Sequence, residues 1–257
     1  MLILLKFKSM IAKNLIKKTV YKLRSYFLKS FPLSLLLDIP PNNVLKKQSE
    51  VDEAIRIAKQ IGLPLHPDRP KNWDSLAAVS FFLNYCQNKA SNILDAGGEY
   101  YSALLPQLAF LGYRNLTCIN LSFKRPLKFG KILFENADLT KTKYNEHYFD
   151  GISCLSVIEH GVNIDDYFRE MSRILKINGI LITSTDYWDT PIEVGNKISY
   201  DFPVKIFNSS EIINFVSIAE NYGFQPLGAL DLFCNEKVIE CQSLKYTFLY
   251  FLLQKVK

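Results

Sequence analysis

Acidic and histidine side chains follow two of the short apolar runs of this sequence. Glu159 and His160 come after one run, and Asp186 ends another. Because histidine titrates near neutrality, His160 could take a proton from an attacking hydroxyl or amine, with Glu159 orienting it or a bound cofactor. The three side chains could also converge on an oxygen-rich cation site. We assign no metal, because acids at strand ends more often face solvent or cap helices.

A glycine pair ends an earlier apolar run, in the order Asn92-Ile93-Leu94-Asp95-Ala96-Gly97-Gly98. Glycine permits turns and close approaches of the backbone to a ligand that any side chain would block. The dinucleotide fingerprint G-x-G-x-x-G is absent here, so a nicotinamide or flavin dinucleotide is not the expected ligand. The segment Ser184–Asp189 adds hydroxyls and aromatic rings, a combination that suits a sugar or another polar ring.

The elements that must position these residues alternate from residue 91 onwards. Short runs rich in Ile, Leu and Val predict strands at residues 91–96, 115–120, 131–137, 149–155 and 179–185, and the segments between them predict helices at 101–111, 163–176 and 209–222. This alternation indicates a parallel sheet covered on both faces. Ligands of such sheets bind at the carboxyl ends of the strands. The apolar run Tyr246–Leu253 predicts a central buried strand, with a membrane-inserting tail as the alternative.

The motifs at those strand ends resemble those of the Rossmann-like (class I) S-adenosylmethionine-dependent methyltransferase family. The resemblance rests on the Asp95-to-Gly98 turn, on Asp138-Leu139, on the run from Phe149 to His160 with its final Glu-His, and on the turn at Asn178-Gly179. It implies an α/β, doubly wound, mostly parallel seven-stranded sheet with an antiparallel C-terminal strand and a helical N-terminal extension. It also implies S-adenosyl-L-methionine as cofactor.

The resemblance assigns cofactor contacts residue by residue. Asn120 stands where the family usually places an acid against the ribose, Asp138 and Leu139 would lie near the adenine, and Glu99 and Tyr101 replace glycines that relatives often have. The expected cofactor-binding residues are Asp95, Gly97, Gly98, Asn120, Asp138, Leu139, Leu155 and Ser156, and the expected catalytic residues are His160 and Glu159.

Two features that the sequence lacks exclude nucleic acid as the expected methyl acceptor. The position after the fourth strand reads Leu155-Ser156-Val157-Ile158, without the Pro-Pro-aromatic turn of relatives that methylate bases. Residues 48–257 carry a net charge of −3, which offers no track for phosphates, so no nucleic acid is expected. We expect transfer of a methyl group to an oxygen or nitrogen of a small polar acceptor, such as a sugar or glycan precursor. An S-adenosylmethionine-binding protein without turnover is the alternative.

The basic residues are concentrated in residues 1–47, which hold ten Lys and Arg against one acid. We expect a basic helical arm there, a helical extension or lid at 48–90, and the methyltransferase domain at 91–257. Helices are expected at about 9–30, 49–61 with a capping box from Ser49, and 74–88 with Asp74 as N-cap. The arm either contacts anionic membranes or packs on the domain as a lid. Five cysteines without a C-x-x-C pair, and no long apolar segment, indicate a cytoplasmic protein.

Overall fold

The computed structural model describes Leu36 and residues 39–257. Residues 36–257 form one compact unit. The helices described are α1 (Gln48–Ile61), α2 (Lys71–Tyr85), α3 (Leu104–Phe110), α4 (Ile164–Ile174) and α5 (Ser209–Asn221). The strands described are β1 (Asn43–Val44), β2 (Asn92–Ala96), β3 (Asn115–Ile119), β4 (Leu127–Phe129), β5 (Ile132–Glu135), β6 (Phe149–Leu155), β7 (Leu175–Tyr187), β8 (Ile198–Ser199), β9 (Phe202–Pro203), β10 (Phe224–Pro226), β11 (Ile239–Cys241) and β12 (Leu244–Lys255). No helix within the described part of the chain combines the length and the apolarity that crossing a bilayer requires.

The sheet has the expected doubly wound α/β order. Strands β5, β3, β2, β6 and β7 lie side by side and are parallel. Strand β12 pairs antiparallel with β7, and β10 pairs antiparallel with β12. These seven strands confirm the predicted mostly parallel sheet with an antiparallel C-terminal strand. Three short strands, β1, β4 and β11, extend it, and β8 and β9 form a separate hairpin.

The C-terminal run is the central buried strand that its length predicts. Every residue from Tyr246 to Leu253 is at most 6% exposed. Eight residue pairs join β12 to β7, from Thr247 opposite Tyr187 to Gln254 opposite Ile180. Side chains on both faces of this strand are buried, which is why its apolar residues do not alternate with polar ones.

Helix α4 shows how the helices cover this sheet. Its buried residues Tyr167, Phe168, Met171 and Ile174 recur at the three- and four-residue spacing that places side chains on one helical face. The side chain of Asn163 accepts a hydrogen bond from the backbone of Asp166 and so caps its first turn. The helix thereby fixes the long loop that carries Glu159 and His160 out of β6.

Two predicted helix starts are wrong. Helix α2 begins at Lys71, three residues before Asp74, and Pro70 occupies the N-cap position without a side-chain cap. Asp74 is instead buried and accepts a hydrogen bond from Ser184, since a partner on a distant strand competes successfully with the local backbone. Helix α1 begins at Gln48, so Ser49 lies inside the helix and forms no capping box.

The end of the expected basic arm belongs to the compact unit. Asn43–Val44 form β1 against β12, and the Asn42 side chain accepts a hydrogen bond from the backbone N–H of Leu252 at 2.7 Å. The helix expected at residues 9–30 lies outside the described residues.

Candidate active site

The strand ends named by the sequence meet at one edge of the sheet. Because β5, β3, β2 and β6 are consecutive parallel neighbours, the residues that follow them lie along that edge in the order Asp138, Asn120, Gly97 and Ser156. This is the edge where parallel α/β sheets bind their ligands.

The turn after β2 requires both of its glycines. Gly97 has a φ of +88°, and a Cβ built on it would lie 2.5 Å from Cγ2 of Val157 in the turn after β6. A Cβ on Gly98 would lie 2.2 Å from Oδ2 of Asp95, so the backbone passes directly over that carboxyl group. Asp95 is 3% exposed and accepts a hydrogen bond from Ser153 at 2.8 Å. Burial raises the pKa of Asp95 to about 6 despite that bond, and the charge of Asp74 adds to the effect.

Asn120 holds this turn in place. Its Nδ2 donates to the carbonyl oxygens of Gly97 and Gly98 at 3.0 and 3.1 Å, and to Oε1 of Glu99 at 3.2 Å. Its Oδ1 accepts from the backbone N–H of Ser122. An acid at position 120 could not donate to these oxygens. The hydrogen bond between Asn120 and Glu99 joins the two turns: Glu99 supplies a carboxylate after the glycine pair, and Asn120 supplies an amide after β3.

The other two strand ends have different surroundings. Asp138 is exposed and accepts from the backbone N–H and the hydroxyl of Thr140, a local turn that leaves its second oxygen free of protein partners. Leu139 is half-buried against the core. At the end of β6, Leu155 and Ser156 are half-buried, and Ser156 has a φ of +54°.

Glu159 is directed away from His160 towards the neighbouring strand. It is 2% exposed, and its Oε2 accepts from the hydroxyl of Thr185 at 3.1 Å. Burial raises the pKa of Glu159 to about 8, and the charge of Asp186 raises it further. Burial also raises the pKa of Asp186 to about 6, although the Lys71 ammonium and a hydrogen bond from Tyr246 oppose this. Both carboxyls are therefore harder to ionise than free acids, and each opposes the ionisation of the other.

His160 is uncharged in this setting. Burial lowers the pKa of His160 to about 4, and the charge of Lys71 adds to the effect. Its Nδ1 is buried and has no hydrogen-bond partner among the described residues. A neutral imidazole with an unpaired nitrogen can accept a proton from a substrate group. No hydrogen bond to Glu159 orients the ring; it lies edge-on to the ring of Tyr200, with the centroids 4.8 Å apart.

The hairpin β8–β9 and two preceding loops complete the site, and the sequence did not indicate this. Tyr200 contacts His160 and shares a hydrogen bond between hydroxyls with Tyr101, one of the residues in the glycine turn. The ring of Tyr101 in turn lies edge-on to His66 at 5.7 Å. This hairpin has no signal in the sequence, because Tyr200-Asp201 has no glycine or asparagine to mark a turn.

A pocket opens beside the catalytic candidates, between this hairpin and the β11–β12 turn. Its polar lining includes Glu159, His160, Asp186, Lys205 and Tyr246. Within the described residues, no group of three His, Cys, Asp or Glu side chains is arranged to hold a metal ion.

The family comparison agrees with this geometry. Residues 95–183, which run from Asp95 in the glycine turn to Thr183 in β7, match the model of a methyltransferase domain. This match identifies a methyltransferase domain within the chain. The matched segment contains the strand ends after β2, β3, β5 and β6. No curated protein sequence matches the chain.

Solved structures share the fold of the methyltransferase at low sequence identity. An S-adenosylmethionine-dependent methyltransferase from Mesorhizobium loti is 15% identical, with a TM-score of 0.51, and the match covers 72% of this chain and 97% of that one. A methyltransferase from Methanosarcina mazei is 18% identical, with a TM-score of 0.50 and coverages of 68% and 97%. The geranyl diphosphate C-methyltransferase of Streptomyces coelicolor A3(2) is 14% identical, with a TM-score of 0.54 and coverages of 91% and 97%.

The buried Glu159 carboxyl makes the stability of the methyltransferase depend on pH. Its pKa is about 8 in the folded chain against 4.5 as the ordinary value, so the folded state binds the proton more tightly. This stabilisation is complete below the ordinary pKa and is lost as the pH rises through about 8. We expect urea unfolding to show a smaller loss of stability from about pH 5 to about pH 8.5 in Glu159→Gln than in the wild type. Glu240→Gln, at an exposed residue, is the control, and an identical pH dependence in Glu159→Gln would contradict the argument.

Proposed function

We propose that this methyltransferase transfers the methyl group of S-adenosylmethionine to an oxygen or nitrogen of a small polar acceptor, such as a sugar or glycan precursor. The observation that carries the proposal is the group of polar side chains, Glu159, His160, Asp186 and Tyr246, that lines the pocket beside the end of β6. Hydroxyls and amines are the groups that carboxylates, an imidazole and a phenol bind best.

The sheet edge fits the cofactor. The absence of a side chain on Gly97 lets the turn after β2 pack against Val157, and Glu99 offers a carboxylate to ribose hydroxyls. The Oδ1 of Asn120, which accepts one hydrogen bond from Ser122, can accept a second from the ribose, and Leu139 offers an apolar contact to the adenine. Asp95 supports the turn from beneath through its burial under Gly98. In this proposal Asp138 completes the adenine end, and Leu155 and Ser156 face the methionine portion.

The chemistry divides between cofactor and protein. When bound, S-adenosylmethionine supplies a methyl group on a positively charged sulfur, which is already activated for transfer. His160 accepts the proton of the acceptor hydroxyl or amine, because its ring is neutral and its Nδ1 is unpaired. Asp186 binds that hydroxyl or amine within the pocket, and the Tyr200 hairpin excludes water from it. Glu159 and Asp186 share one buried environment, so one of the two carboxyls retains a proton more readily than a free acid does.

Calorimetric titration with S-adenosylmethionine, followed by measurement of S-adenosylhomocysteine release over a panel of sugars, amino sugars and small amines, tests the proposal. Binding together with acceptor-dependent release supports it. Binding without release on any member would favour a cofactor-binding protein without turnover for these acceptors, and absence of binding would refute the cofactor site.

We also propose a cytoplasmic, membrane-peripheral location through the basic arm, which would suit a lipid-linked glycan acceptor. The support is its charge of +9 over residues 1–47, since an anionic surface attracts each nearby Lys or Arg by about 1 kcal/mol. We expect the full-length protein to sediment with anionic vesicles at low salt, and both deletion of residues 1–30 and replacement of Lys13, Lys17, Lys18 and Lys22 by Gln to reduce this. Neutral vesicles are the control. Sedimentation unchanged by either alteration would exclude this role.

A further inference from the structure

Lys71 stands at a position that local helix energetics disfavours. It is the first residue of α2 and directly follows Pro70, outside the residues that match the family model. The amino end of a helix carries a partial positive charge, so an ammonium group there is repelled by its own helix. An interaction outside α2 must therefore account for the position of this side chain.

That interaction is with the turn after β6 and with the C-terminal strand. The Lys71 ammonium donates to the hydroxyl of Ser156, the residue that ends β6 with a positive φ. It also lies 3.8 Å from the centre of the Phe248 ring of β12, a favourable cation–π contact.

Asp74 closes a circuit of hydrogen bonds with β7 and the turn after β6. It lies three residues after Lys71 and therefore on the same face of α2. Its Oδ2 accepts from the Ser184 hydroxyl of β7 at 2.7 Å. The Ser184 hydroxyl and carbonyl in turn accept from the backbone N–H of Ser156, at 3.1 and 2.9 Å. Helix α2 thus fixes the carboxyl ends of two central strands at once.

The charge of Lys71 acts on four ionisable groups at this edge. It opposes the rise that burial causes in the pKa values of Asp74, Glu159 and Asp186, and it adds to the lowering of the pKa of the His160 imidazole. The same positive charge therefore favours ionised acids and an uncharged histidine. The other titratable groups facing this cluster are His66 in the loop before α2, Tyr200 in the hairpin, and Tyr246 of β12.

We propose that Lys71 is a positioning residue of the methyltransferase site, which fixes the turn after β6 through Ser156 and supplies a positive charge that acts on His160. Its relevance to turnover rests on the role proposed above for His160. The contact and the charge effect themselves do not depend on that role.

Three variants in the full-length chain separate the two effects. Lys71→Arg keeps the charge and the donor, Lys71→Gln keeps a donor without the charge, and Lys71→Met keeps neither. Lys89→Met is the matched control, because its ammonium lies 4.0 Å over the Tyr113 ring and is not among the groups that act on His160. The readout is titration of the three histidine rings by nuclear magnetic resonance, with the His160 signals assigned through His160→Gln.

We expect the His160 midpoint to rise in both Lys71→Gln and Lys71→Met, and to stay at the wild-type value in Lys71→Arg and Lys89→Met. A His160 midpoint that is unchanged in both uncharged variants would overturn the proposal, even if their melting temperatures fall. If Lys71→Met does not fold, Lys71→Gln alone decides. No cofactor or acceptor enters this measurement, so its failure is distinguishable from failure of S-adenosylmethionine binding.

Discussion

Gly97→Val should weaken S-adenosylmethionine binding by at least about 100-fold while leaving the chain folded. A β-branched residue at a φ of +88° is strained by about 1–3 kcal/mol. Its first side-chain atom would also lie 2.5 Å from Val157, so the turns after β2 and β6 would have to separate. The backbone strain is present with and without the cofactor, so it lowers the stability of the variant. The separation of the two turns removes contacts that only the bound cofactor makes, and a loss of about 2.8 kcal/mol in those contacts corresponds to the expected 100-fold.

Gly130→Val separates the backbone effect from the steric effect. Gly130 has a φ of +62°, and a Cβ built on it meets nothing within 4 Å. Gly130 lies in the turn between β4 and β5, away from the glycine turn. The Gly130→Val variant should therefore lose stability and keep its affinity for S-adenosylmethionine. Calorimetry gives the affinities, and circular dichroism confirms that both variants fold. Wild-type affinity in Gly97→Val would mean that the cofactor does not bind at the glycine turn.

The sheet was predictable because its strands are fixed by composition over short distances. The run Phe149–Leu155 is apolar and bounded by polar residues, and the structure has a strand with those bounds. Strand β7 was predicted to start at Gly179, yet it starts at Leu175. Asn178 does adopt the predicted positive φ, but as an irregularity within the paired strand rather than as its boundary.

The parts of the site that could not be predicted depend on partners distant in the chain. Asp74 resembles an N-cap locally, and only the fold brings Ser184, 110 residues away, within hydrogen-bond distance. The bond from Lys71 to Ser156 spans 85 residues. Asn120 was predicted only in part. Its place at the end of a strand follows from the sequence, but the three oxygens to which its side-chain nitrogen donates are brought together by the geometry of the glycine turn.

Replacement of His160 by Ala should lower turnover by roughly 10²- to 10⁴-fold, the range typical of a lost general base. Affinity for S-adenosylmethionine should stay within a few-fold, because His160 lies on the side of the pocket rather than at the glycine turn. The assay uses an acceptor that supports S-adenosylhomocysteine release. His147→Ala is the control, since that ring contacts the Leu175 carbonyl and Lys255 and does not line the pocket.

The pH profile distinguishes a base from a group that only positions the acceptor. A base must be unprotonated, and burial lowers the pKa of His160 to about 4, so its protonation should not reduce the wild-type rate until the pH falls towards that value. A pKa this low also makes the imidazole a weak base, which favours the lower part of the expected range. A loss of less than about tenfold in His160→Ala would show that orientation of the acceptor, and not proton removal by His160, determines the rate.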